Sequence, residues 1–83
     1  MKITFTPHGW ADYWSWADDR KMLPRINRLI DEAARDPAVG AGKPEPLAAN
    51  LRGFWSRRIT QEHRLVYQVQ DDHLVIVQVR RHY

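Results

Sequence analysis

Three residues able to do acid–base chemistry on a phosphodiester lie far apart in this chain. Glu45 sits in "GKPEPL", Arg64 in "EHRLVY" and His82 in the terminal "VIVQVRRHY". A histidine near neutral pH can give or take a proton. An arginine is a permanent cation whose forked donors suit phosphate. Glu45 is flanked by prolines, whose fixed φ reduces the freedom of a loop and gives its carboxylate a defined direction. Cleavage of RNA by its own 2′-OH needs a base for that proton and an acid for the 5′-oxygen leaving group. A carboxylate and a histidine can fill both roles without a metal. The same residues equally fit an ordinary solvated sheet face and a rigid connecting loop, so residue types alone leave both readings open.

The surrounding sequence must supply elements that bring these residues together. "KITFT" alternates apolar and polar and predicts a short first strand, broken by Pro7 and Gly9. Within "GWADYWSWADD", Trp10, Tyr13, Trp14 and Ala17 form a helical stripe expected to pack into the core, with Trp16 left over for an exposed patch. Asp18 and Asp19 end that helix and can cap the next. Leu23, Ile26, Ile30, Ala33 and Ala34 share one face of a second helix, which starts near residue 22 or 23 because Pro24 suits only a first turn. "PAVGAGKPEPLAAN" is expected to be loop. "LRGFWSRRIT", "HRLVYQVQ" and "HLVIVQVRRH" then predict three strands in a meander. The order β-α-α-β-β-β implies an α+β domain spanning 1–83, an antiparallel twisted sheet with two helices on one face.

The last hairpin sets which side chains meet. A two-residue turn at Asp71-Asp72 would put Arg64 among valines. A three-residue turn, Asp71–His73, pairs 64 with 80 and 62 with 82. It places Leu65, Tyr67, Val69, Val75, Val77 and Val79 under the helices and leaves Glu62, Arg64, Val66, Gln68, Ile76, Gln78, Arg80 and His82 on the open face. The second register is the expected one. It anchors the final strand by its valines and holds the terminal residues on a rigid element.

Composition narrows the class. Hydrophobic residues make up 43% of 83 and cysteine is absent, which predicts a globular chain without disulfides or thiolate chemistry. The four histidines show no metal-ligand spacing and the glycines match no phosphate loop, so no metal or cofactor is expected. The start has neither a signal-peptide nor a membrane-span pattern, and a cytoplasmic location is expected. Residues 37–83 carry seven Lys/Arg against four Asp/Glu and supply the whole net charge of +3. Arg52, Arg57, Arg58, Arg80 and Arg81, interleaved with Phe54, Trp55, Tyr67 and Tyr83, suit single-stranded nucleic acid. A merely basic surface, with Trp55 in the core, has the same composition.

"GKPEPL", "NLRGFWSRRITQEHRLVYQV" and the C-terminal "RHY", in this order, resemble the YoeB (Txe) branch of the RelE/ParE toxin superfamily over nearly the whole chain. The resemblance implies a compact microbial-RNase-like α+β fold and ribosome-dependent, metal-independent cleavage of mRNA in the A site. It implies Glu45 as general base, His82 as general acid, Arg64 as the charge-stabilising arginine and Tyr83 as a substrate-orienting residue. Arg58, Lys43, Arg80 and Arg81 would contact RNA. The implied partners are a cognate YefM-like antitoxin, the ribosome with its mRNA, operator DNA only through the antitoxin complex, and a second copy of the chain. A non-catalytic ParE-like gyrase binder of the same fold, or an RNA or protein adaptor, are the competing expectations. Pro24 and the "PAVGAG" segment depart from the family pattern.

Overall fold

A computed structural model describes residues 1–81. The strands are β1 (Lys2–Phe5), β2 (Glu45–Pro46), β3 (Phe54–Arg58), β4 (Arg64–Gln70) and β5 (His73–Gln78), and the helices are α1 (Pro7–Trp14) and α2 (Met22–Arg35). They form an α+β fold whose sheet order is β1-β5-β4-β3-β2. The antiparallel meander holds from β2 to β5, whereas β1 joins β5 in parallel, so the sheet is mixed. The segment expected to be loop contains β2 and a 3₁₀ turn at Ala49–Leu51.

Thr6 caps α1, its Oγ accepting the N–H of Gly9, and Pro7 occupies the first turn, where no intrahelical donor is needed. The proline that ends β1 therefore also opens a helix. α2 begins at Met22, and Asp19 Oδ1 accepts the backbone N–H groups of Lys21 and Met22. Pro24 falls in its first turn. Leu29 joins the expected apolar face of α2, which packs on Leu65, Tyr67, Leu74 and Ile76.

The expectation for the tryptophans of this segment is reversed, while Tyr13 packs against the core as expected. Trp10 and Trp14 are 49% and 64% exposed and Trp16 is 5% exposed. α1 stops at Trp14, so Trp16 lies beyond the helix and turns inward, donating Nε1–H to the carbonyl of Val79 at 2.8 Å. Gly9 makes the close contact with β5 instead, while Trp10 stacks on Trp14 with centroids 6.0 Å apart at the surface.

The last hairpin contains both registers. Gln70 pairs with His73, so the turn is Asp71-Asp72, with Asp71 in the left-handed region at φ 56°. A short polar side chain tolerates that conformation, which closes a tight hairpin. Tyr67 then pairs with Ile76, but Val66 pairs with Gln78. The bulge leaves Val77 unopposed and shifts the pairing into the register expected from the three-residue turn. Leu74 and Ile76 are buried before it and Val79 after it; Val75 and Val77 are half-buried, and Val69 is exposed. The assignment of Ile76 to the open face, and of Val69, Val75 and Val77 to the core, is thereby corrected; Val66, also expected on the open face, is buried at 2% exposed, as is its β3 partner Ser56 at 1%. The energetic preference for burying large branched side chains decides each half separately.

A Cβ on Gly9 would collide with the carbonyl oxygen of Ile76. Alanine is the better helix former by about 1 kcal/mol, yet Gly9→Ala is expected to lower the urea midpoint because α1 must lift off β5. An unchanged or raised midpoint would contradict that packing.

Candidate active site on the open sheet face

Alternation along the strands builds this face. Glu45, Ser56, Val66 and Gln78 form one cross-strand row, and Arg58 lies directly opposite Arg64 two residues further along β3. Residues in register share a face, so Glu45, Arg58 and Arg64 project on the side away from α2. Strand spacing and rise place the Glu45 and Arg64 Cα atoms roughly 12 Å apart. Two like charges directly opposite each other repel, which favours an anion between them.

Each side chain is held by a different device. Prolines on both sides of Glu45 remove N–H donors, which confines β2 to two residues at a sheet edge. Leu47 N–H donates to Phe54 O at 2.9 Å and continues the pairing. Arg64 is turned back on its own loop: Nη1 donates to the carbonyls of Thr60 at 2.8 Å and Gln61 at 3.0 Å. Lys43 is exposed, with φ 51°.

Arg57 shows why alternation matters. It is the neighbour of Arg58 and shares the face of Trp55, so it is fully buried and takes no place on a nucleic-acid surface. Its guanidinium donates to the carbonyls of Asp36, Val39 and Ala41 and to Tyr67 Oη. Tyr67 donates in turn to Pro37 O at 2.6 Å. Burial pushes the Tyr67 phenol above its ordinary pKa, against the opposing effect of Arg57, so it stays a donor at neutral pH. This cluster, with Glu32 accepting Ala41 N–H and Gly42 O accepting Arg58 N–H, fastens the loop that leads to Lys43 and Glu45.

Arg80 does not lie beside Arg64 as the three-residue register implies. Its guanidinium carbon is 3.9 Å from the ring centre of Trp16, and Nε donates to Ser15 Oγ. β5 ends at Gln78, and the residues after it are drawn toward the segment following α1. Arg81 is exposed with φ 64°; its N–H donates to His63 Nδ1 and its carbonyl accepts from Arg64 N–H and Gln78 Nε2. The contact to His63 has no counterpart in the sequence reading; its only signal was a histidine next to Arg64. His82 and Tyr83 lie outside the described residues. Among the described residues, no helix is long and apolar enough to cross a membrane.

Residues 5–83 match the family model described as "YoeB-like toxin of bacterial type II toxin-antitoxin system". The chain is 64% identical over 84 residues to Toxin YoeB of Streptomyces coelicolor, covering 100% of both chains. Its fold superposes on a YoeB/ParE toxin from Agrobacterium tumefaciens with TM-score 0.94, at 48% identity and full coverage of both chains. YoeB of Staphylococcus aureus, solved as a complex with YefM and as a dimer, superposes with TM-score 0.88 in each case. Identities are 44% and 46%, over 100% of this chain and 98% of those chains.

The loop support has a pH dependence. The Ala41 N–H, and next the Arg28 guanidinium, hold the Glu32 carboxyl below its ordinary pKa. A lowered folded pKa contributes stability above the unfolded value, and that contribution is lost as pH falls through the folded one. Glu32→Gln is therefore expected to reduce the denaturant midpoint at pH 7, with the gap closing below about pH 4.3. A gap unchanged in acid would remove this role for Glu32.

Proposed function

Because the chain belongs to the YoeB-like toxins of bacterial type II toxin-antitoxin systems, we propose that it is a metal-independent endoribonuclease that cuts mRNA in the ribosomal A site and stops translation. The observation that carries this reading is the shared face of Glu45, Arg58 and Arg64, a carboxylate and two directly opposed cations on neighbouring strands. Glu45 takes the 2′-OH proton, the 2′-oxygen forms a bond to phosphorus and the bond to the 5′-oxygen breaks. His82 protonates that leaving oxygen. The products are a 2′,3′-cyclic phosphate, which water can open to a 3′-phosphate, and a 5′-OH end. Arg64 stabilises the extra negative charge at phosphorus, which requires part of its guanidinium to leave the carbonyls of its own turn. Lys43, Arg58 and Arg81 meet the RNA backbone, and Tyr83 orients the substrate. Arg80, engaged with Trp16, has a packing role.

The reading supplies its partners. The solved YoeB–YefM complex supports a YefM-like antitoxin that covers the basic face, and the S. aureus dimer supports self-association. The ribosome presents the mRNA, which relieves an open sheet face of the need to position RNA alone. Operator DNA is met through the antitoxin complex, and the protein acts in the cytoplasm as one domain.

Primer extension on mRNA in a translating extract tests this. Wild type is expected to give cuts at A-site codons with 5′-OH ends. Glu45→Ala, Arg64→Ala and His82→Ala are each expected to lower the cleavage rate by about 10²–10³, with circular dichroism unchanged. Folded variants that cut like wild type would remove the assigned roles. DNA damage that precedes any translation arrest, without mRNA cuts, would instead identify a gyrase binder.

A further inference from the structure

The C-terminal segment leaves the sheet before the residues that the proposed chemistry needs, and its backbone is then held by side chains. Val79 N–H donates to Asp12 Oδ2 at 3.0 Å and Val79 O accepts from Trp16 Nε1. On the opposite side, Arg81 N–H donates to His63 Nδ1 at 2.7 Å. The Arg81 carbonyl accepts from Arg64 N–H at 2.9 Å and Gln78 Nε2 at 3.1 Å. Arg81 also has a left-handed backbone, φ 64°, a conformation that a non-glycine residue keeps only when its surroundings enforce it.

An amide N–H can only donate, so Nδ1 of His63 must present a lone pair. The ring is then neutral, with its proton on Nε2. The ring is oriented from two directions. Its edge meets Trp16 at 5.0 Å between centroids and 88° between planes, and its backbone N–H donates to Thr60 Oγ. The side chain is only 15% exposed.

We propose that His63 is a positioning residue for the cleavage reaction. Its neutral ring accepts from the Arg81 amide and fixes the point in the chain from which His82 and Tyr83 follow. This rests on the reading of His82 as the general acid. A misplacement of about 1 Å in such a group can cost about 10²-fold in rate, and one backbone hydrogen bond immediately before it is a direct means of control.

Two variants separate positioning from general stability. The side-chain amide oxygen introduced by His63→Asn can stand where Nδ1 stands, whereas His63→Ala has no acceptor. His63→Ala is expected to lower kcat for mRNA cleavage by about 10-fold or more, with KM within about twofold and hydrogen exchange at the Arg81 amide accelerated. His63→Asn is expected to recover most of both. The proposal is overturned if His63→Ala cuts like wild type or leaves Arg81 exchange unchanged, or if His63→Asn rescues nothing. Absence of cutting by wild type itself would be a different failure, that of the nuclease reading, and would take this proposal with it.

Discussion

The peptide group of Val79 is the constraint on which the site side of this molecule depends. β5 ends at Gln78, yet Val79 is fully buried, so its N–H and carbonyl need partners inside the protein. Asp12 and the Trp16 indole provide them. That requirement explains why α1 is short, why the chain turns inward after Trp14, and why Trp16 is buried while the tryptophans on the helix stay outside. It also ties the first helix to the far end of the chain, so the N-terminal third and the C-terminal segment become one structure.

A second buried group does the same on the other side of β4. Arg57 keeps its charge in the interior by donating to three carbonyls of the 36–41 loop and to Tyr67. An unpartnered buried guanidinium would be costly, and unpartnered carbonyls would add to the cost. The loop and the arginine therefore stabilise each other, and the loop in turn delivers Lys43 and Glu45 to the edge strand. Neighbouring arginines with identical chemistry thus divide the work. Arg57 builds from inside, and Arg58 faces the polyanion that the nuclease reading requires. The two buried fastenings lie on either side of β4, one supporting the proposed base and the other the approach to the proposed acid.

Much of this was readable from side-chain pattern. The second helix followed from the spacing of Leu23, Ile26, Ile30, Ala33 and Ala34, and its start from the tolerance of Pro24 in a first turn. The three C-terminal strands followed from alternation, as did the face that carries Arg64; Arg58 joins that face through its pairing with Arg64. Arg57 was also legible in principle, since it alternates with Arg58 and shares the side of Trp55. The aromatic stripe misled because periodicity identifies a helix face without saying which neighbour covers it, and here Gly9 makes the approach to β5. The hairpin misled because one uniform register was assumed, while a bulge allows each half to bury its own best residues.

The sequence by itself determined the two helices, the first strand and the three C-terminal strands, the two-sided character of those strands and the residue chemistry, because these depend on local backbone preference and on periods of two and 3.6 residues. It also carried the family resemblance, through blocks of residues in a fixed order. Tertiary structure alone decided that β1 enters in parallel, that Trp16 is interior, and that His63 meets the Arg81 amide. Those outcomes arise from satisfying buried polar groups across separations of 18 residues for His63 and Arg81 and 63 for Trp16 and Val79. No local propensity encodes such a pairing; it exists only once the sheet has brought the two segments together.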